Sequence, residues 1–383
     1  MFQPATRAAA LEALHEFNQH YARAYRSERN KVIPGHPNVT SLSGAVRHRL
    51  ISEYEMADLF QSSHPFFLVE KLIQEVYWRR YWKSWLDLRP QVWRKYQEEL
   101  ADPEPYDRDQ AEALMAGEGE VAIMNHFARE LTETGYLHNH ARMWFAAYWI
   151  HVARLPWVVG ADYFYRHLLC GDPASNTLSW RWVAGLQTLG KSYLPRRSNI
   201  EKFTDHRILD LHRAGLDKLE RPEARSIAGA EKEEITHLEP DLEPADSHQK
   251  TAFWIHEEDL DPPQTRDLTL IIQDEARWEK MGYSEVKRKW LRQALADTAT
   301  RFPNAIFRKG PAPALITEFC VEHGVSQLEL MAPSTGEIRD QLPELPPALN
   351  LVYQTRPRDL ALHPLARAGF FSFWKKVQRQ LKP

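Results

Sequence analysis

Cysteine is nearly missing from this chain: Cys170 and Cys320 are the only two in 383 residues, and they stand far apart. Two distant thiols build neither a disulfide framework nor a four-cysteine zinc or iron–sulfur site. They suit a reducing compartment, and the cytoplasm is the expected location. Charge of one sign is also lacking, with 49 lysines and arginines against 52 aspartates and glutamates and a formal net charge of −3. Any contact with nucleic acid therefore falls to a local patch rather than to a global field. Long apolar runs are absent. The greasiest stretch, residues 143–150, is followed closely by His151 and Arg154, far short of the ~20 residues that cross a bilayer. The opening MFQPATRAAALEAL has no apolar signal-peptide core, so neither a membrane nor a metal is expected as a partner.

Tryptophan, by contrast, is abundant. Nine of the 13 fall between Trp78 and Trp182, a density that serves core packing, electron transfer or stacking on bases. Residues 1–220 read as helix after helix, with apolar positions at helical spacing over 8–25, 67–85, 122–134, 138–152 and 163–169. Residues 221–250, acidic and without aromatics, read as a linker. Beyond them, from 251 to 383, short apolar runs at 252–256, 268–272, 305–307, 328–331 and 349–353 alternate with helical stretches at 284–301, 312–323 and 366–381. That alternation predicts a small, doubly wound, parallel α/β domain behind an all-helical one. No glycine-rich dinucleotide fingerprint accompanies the strands.

Two runs, TGYLHNHARM (134–143) and GADYFYRHLLCGDPASNTLSWRW (160–182), resemble the flavin-binding core of DNA photolyases and cryptochromes. Three further matches keep the family's order: Tyr25 with Arg29 and Asn30, VTSLSGAVRHRLIS (39–52), and EVYWRRYW (75–82). The C-terminal third, from FWIHEEDLD (253–261) onward, looks like the family's N-terminal α/β domain, so the chain resembles a circular permutation of the family plan.

The resemblance implies an FAD cofactor and assigns roles to residues. Tyr25, Thr40, Ser41, Leu42, Ser43 and Arg79 fall at its cofactor-binding positions, with Val39 standing where the family has threonine. Asp172 is implied to accept from the flavin ring N3–H, and Asn176, four residues on and on the same helix face, to face N5. Arg142 is the implied cation at the ring, although its family partner, an aspartate, is Cys170 here. Trp180 and Trp157 match the first two members of an electron-supplying tryptophan series. The third position falls near Glu104 and Tyr106, where no tryptophan stands, leaving Tyr106, Trp93 or Trp149 as alternatives. Glu75, Trp78, Asn139, Met143 and Trp182 match the pocket for a dimer flipped out of DNA. His140 replaces a common arginine and leaves the lesion type open; beside the pocket it is a candidate proton donor. Arg29, Arg79, Arg80, Lys83, Lys191, Arg196 and Arg197 are the candidate phosphate contacts. The implied function is light-driven repair of pyrimidine dimers in damaged DNA, with a non-repairing blue-light sensor and a dark flavoprotein as alternatives. No antenna pigment is assigned.

Overall fold

The computed structural model describes residues 3–188, 191–229, 231–237 and 246–381. Its first part is helical: α1 Arg7–His20, α2 Tyr25–Glu28, α3 Ser43–Arg47, α4 Glu53–Ser63, α5 Phe66–Asp87, α6 Gln91–Ala101 and α7 Arg108–Ala116. There follow α8 Ala122–Thr134, α9 Asn139–Ala147, α10 Trp157–His167, α11 Pro173–Val183, α12 Arg197–Phe203 and α13 His206–Leu209. The single apolar pattern over 8–25 breaks at Tyr21, where a 3-10 turn separates α1 from α2. The pattern over 138–152 ends in a π turn, Tyr148–Val152, the wide turn often found beside functional sites. Local chemistry sets other starts. Ser52 and Glu55 form a reciprocal capping box on α4, and Asp172 caps α11 with Pro173 in its first turn.

The second part alternates: β1 Thr251–Ile255, β2 Thr269–Gln273, α14 Glu275–Lys280, α15 Glu285–Arg301, β3 Ile306–Lys309, α16 Ala312–His323 and β4 Gln327–Met331. Then come α17 Glu337–Gln341, β5 Asn350–Gln354, α18 Pro357–Leu362 and α19 Phe370–Leu381. The five strands are parallel in the order β3-β2-β1-β4-β5. Strand alternation sorts the two faces: Phe253 and Ile255 of β1 join the core shared with the helical part, whereas Ala252 and Trp254 pack with Ile316 and Phe319 of α16.

The connecting segment falls partly outside the described residues, at 230 and 238–245. Its described portions lie against the helices rather than in solvent alone. Glu233 pairs with Arg181 at 3.1 Å and Lys95 at 3.2 Å, and Arg225 donates to the Arg154 carbonyl at 2.7 Å.

In a doubly wound sheet, ligands gather beyond the strand carboxyl ends where strand order reverses, between β1 and β4 here. That crevice is filled from the helical side. Arg47 pairs with Glu258 at 2.9 Å, Arg49 and Arg80 meet Asp359 at 2.7 and 3.2 Å, and Lys83 is buried among them. About 80 Å³ is left open, well below the roughly 300 Å³ at which small-molecule sites begin.

A second buried network joins the parts at Tyr165. Its hydroxyl meets Glu337, which pairs with Arg277 at 2.9 Å and accepts from Tyr283 at 2.7 Å. Lys287 is sealed alongside, donating to the Tyr165 carbonyl at 2.8 Å, and burial pushes its pKa down to about 7. An unfolded lysine titrates near 10.4. Between about pH 7 and 10 the unfolded chain therefore holds a proton that the folded chain lacks, and the Lys287 contribution to stability rises with pH. Lys287→Met is expected to flatten that rise. Identical slopes for the two proteins, from urea unfolding across the same window, rule the assignment out.

Candidate functional site

Helices α5, α9 and α11 converge on one cavity of about 740 Å³, within the roughly 300–1,000 Å³ of cofactor and ligand sites. Helical spacing explains the convergence. Glu75, Trp78, Arg79 and Trp82 face it from α5, Asn139, His140, Arg142 and Met143 from α9, and Asn176, Ser179, Trp180 and Trp182 from α11. Tyr25, Thr40, Ser41, Leu42 and Ser43 complete the wall. Of the residues implied to hold the cofactor, receive the dimer or stand first and second in the electron series, Asp172 and Trp157 are not on the lining.

Several polar atoms in this wall are unclaimed. The Oγ atoms of Ser41 and Ser43 and the Nε2 of His138 are buried without a hydrogen-bond partner, a state that disfavours the empty protein. The Asn176 amide nitrogen is spent on the Ala161 carbonyl at 2.8 Å, which leaves its oxygen as the end that accepts a donor. Apolar rings, two unpartnered hydroxyls, a guanidinium and an acceptor oxygen fit FAD, whose phosphates need donors and whose ring needs both donors and acceptors. One helix-terminal amide is already taken: Gly44 N–H donates to the Gln3 side chain at 3.1 Å.

The charges are arranged in pairs. Arg142 donates to the Cys170 Sγ at 3.2 Å and to the Leu137 carbonyl at 2.7 Å. Burial pushes the Cys170 thiol up, but the Arg142 and Arg79 cations outweigh it and hold it below the ordinary thiol range. The cation that lacks its expected carboxylate is thus met by a thiol whose ionisation it favours. Asp172 lies behind the wall, one oxygen capping Ser175 N–H at 2.7 Å and the other on Arg79. Burial opposes its ionisation, yet Arg79, Arg47 and Lys83 bring its pKa down to about 2. Helix cap and ion pair are both true of it.

Glu75 is held by Lys71 at 2.7 Å and Arg29 at 3.1 Å. His140 stacks on Trp144, with Nδ1 2.9 Å from the Asn30 carbonyl, and burial lowers its pKa from the ordinary value. That shift disfavours the protonated ring and weighs against His140 as a ready proton donor.

Among the rings, Trp180 borders the cavity and meets Phe164 edge to face at 5.1 Å. Trp157 sits deeper, against Tyr96 at 5.7 Å, and Tyr96 stacks on Trp93 at 5.2 Å. Of the alternatives for an outer ring, Trp93 connects to Trp157 through Tyr96, while Trp149 stands at Gly160. A Cβ on Gly160 falls 2.5 Å from the Trp180 ring and 2.8 Å from the Trp149 Nε1. Gly160→Ala is expected to destabilise by about 1–3 kcal/mol through overpacking and to shift tryptophan fluorescence. Unchanged emission with unchanged stability contradicts this packing.

The phosphate-contact expectation needs correction. Arg80 and Lys83 are buried in the crevice network, because they lie on the face of α5 turned toward the sheet. Arg29 and Arg79 are spent on Glu75 and Asp172, and Arg197 on Glu201 and Glu220. Lys191 and Arg196 stay exposed. Sequence reasoning placed a helix at 366–381 but missed its contact with the cavity: Phe370 stacks on Trp78 with ring centroids 3.6 Å apart, and Phe371 lines the cavity. The only local signal was two adjacent phenylalanines opening a helix. Among the described residues no group of histidine, cysteine or carboxylate side chains is placed to hold a metal, and no helix is long and apolar enough to cross a membrane.

Residues 72–207 match the family described as the FAD binding domain of DNA photolyase. Over 204 residues the chain is 26% identical to a deoxyribodipyrimidine photo-lyase of Escherichia coli, covering 50% of this chain and 41% of that protein. It is 34% identical over 107 residues to the Streptomyces griseus enzyme of the same name, covering 27% and 21%. A cryptochrome DASH of Idiomarina loihiensis is 32% identical over 90 residues, covering 24% and 20%. The match thus spans less than half the length of these relatives. Among solved structures, a class III photolyase of Agrobacterium tumefaciens aligns with a TM-score of 0.46 at 24% identity, over 52% of this chain and 42% of that one.

Proposed function

We propose that this chain, whose residues 72–207 match the FAD binding domain of DNA photolyase, repairs pyrimidine dimers in DNA under blue or near-ultraviolet light. The observation that carries the reading is a single cavity bordered both by the polar groups that fit FAD and by Trp78, Trp182, Asn139 and Met143. The chemistry that reduced FAD supplies when bound is a light-excited electron, lent to the dimer and recovered after it splits, with no net redox change.

The protein's own groups do the rest. Ser41 and Ser43 supply donors for the phosphates, Arg142 a cation at the ring, and the Asn176 oxygen an acceptor without adding charge. A dimer is inaccessible inside the duplex and must be extruded. Trp78 and Trp182 offer faces on which it stacks, and Asn139 and Glu75 offer hydrogen bonds to base edges. Trp180 and Trp157, continued by Tyr96 and Trp93, form a buried series of rings along which an electron moves toward the cavity. We read the α/β part as the counterpart of the domain that precedes the flavin domain in relatives, placed after it here. Its parallel, doubly wound order supports this.

The direct experiment illuminates reduced holoprotein with an oligonucleotide carrying a cyclobutane or a (6-4) dimer. Light-dependent loss of either lesion is expected; persistence of both in light and dark alike ends the proposal. Cys170 in place of a carboxylate favours a second reading, a light sensor without repair. A sensor binds lesion-bearing and intact strands equally in the dark.

A further inference from the structure

We propose that α19 forms one bank of a DNA-binding surface, with Phe371 packing on a base beside the cavity and Lys375, Lys376 and Arg379 holding the backbone of the same strand. The inference rests on the repair reading, whose cavity it extends to the protein surface.

The sequence of α19, FFSFWKKVQRQL, divides into two faces. Phe370, Phe373, Trp374 and Val377 are buried, and the opposite positions are exposed. The buried face fixes the helix. Phe370 lies parallel to Trp78, with 9° between ring planes. Gln378 donates to Glu70 at 2.8 Å, and the Leu381 carbonyl accepts from Gln61 at 2.5 Å. The helix therefore runs antiparallel to α5, starting at the cavity and leading away across the surface.

Phe371, at that starting end, both borders the cavity and is 65% exposed, an unfavourable place for a phenylalanine in a free protein. Lys375 and Arg379 follow it at i+4 and i+8, in one stripe rising about 6 Å per step, with Lys376 beside them. The helix contains no acidic residue, and among the described residues these three cations pair with no carboxylate. Some surface cations are held by carboxylates instead: Arg197 is bound to Glu201 and Glu220, and Arg358 to Asp58. An exposed aromatic at a pocket mouth followed by unpaired cations is the combination that binds a nucleic-acid strand, the ring for stacking and the charges for phosphates. A chain with a net charge of −3 needs such a local patch. Lys191 and Arg196 are exposed on the segment that carries Tyr193 against Trp182, itself a wall of the cavity.

The test measures dark binding of the holoprotein to labelled oligonucleotides, with and without one thymine dimer, at several salt concentrations, with polyglutamate as competitor. Lys375→Ala/Arg379→Ala is expected to weaken both oligonucleotides by similar factors and to reduce the log–log salt slope by about 2. Phe371→Ala is expected to weaken binding about ten-fold with the slope unchanged. The charge reversal Lys375→Glu/Arg379→Glu enlarges the first effect, and thermal midpoints with flavin absorbance report folding of each variant. Wild-type binding that all three variants reproduce, in affinity and slope, overturns this inference alone. A wild type that binds no DNA overturns it together with the repair reading. Polyglutamate displacing as well as DNA assigns the patch to an acidic protein partner and overturns it as well.

Discussion

Replacing Asp359 with alanine is expected to destabilise the protein by about 3–5 kcal/mol, the effect of removing one partner from a buried ion pair. Asp359 accepts from Arg49 at 2.7 Å, from Arg80 at 3.2 Å and from the Tyr54 hydroxyl at 2.5 Å, all inside the crevice at the sheet's switch point. Truncation leaves two guanidinium groups sealed from water with fewer acceptors. The charge of Asp359 is secure in the folded state: burial opposes it, but Arg49 and Arg80 dominate and hold its pKa far below the ordinary carboxylate range. A carboxylate depressed in this way stabilises fully above the unfolded pKa near 3.9 and loses that contribution only as pH falls further. Neutral-pH measurements thus see the whole effect.

A neighbouring pair supplies the contrast. Arg358 and Asp58 meet at 2.8 Å with both side chains 52% exposed, and such pairs contribute about 1 kcal/mol or less. Asp58→Ala is therefore expected to shift the urea midpoint little, and Asp359→Ala to shift it strongly. Comparable shifts in the two variants contradict the view that the crevice network holds the two parts together.

The same crevice shows how far the sequence could be read. The strands were legible because β1, β2 and β4 are buried on both faces and so stand out as apolar runs, within a residue or two of 252–256, 268–272 and 328–331. The cavity was legible because its residues fall at helical spacing in three segments, each matching a family motif in order. What escaped was the division of α5 into two working faces. Glu75, Trp78, Arg79 and Trp82 share one; Arg80, Lys83 and Asp87 share another, turned to the sheet. Residue type alone favours surface for an arginine or lysine. Only the position of Glu258, Asp259 and Asp359, more than 170 residues away, makes burial of these cations tolerable. Phe370 and Phe371 escaped for the same reason: nothing local to the last helix states that α5 lies beneath it.

Trp182→Ala is expected to lower dark affinity for lesion-bearing DNA by about 5- to 150-fold, the effect of removing one stacking surface of about 1–3 kcal/mol, with little change in stability. Trp182 is partly exposed, borders the cavity and touches Tyr193 at 5.7 Å. Trp78 borders the same cavity, but its other face is covered by Phe370, and Tyr81 meets its edge at 5.6 Å. Trp78→Ala therefore removes a stacking surface and the support of α19 together, and a loss on the order of 3 kcal/mol in stability is expected beside the loss of binding. The two variants separate what the cavity does from what holds it. Equal stability losses for both place Trp182 in the packing rather than at the substrate. Full lesion affinity in Trp182→Ala removes the wall on which the extruded dimer is proposed to stack, and leaves the flavin cavity with a signalling role.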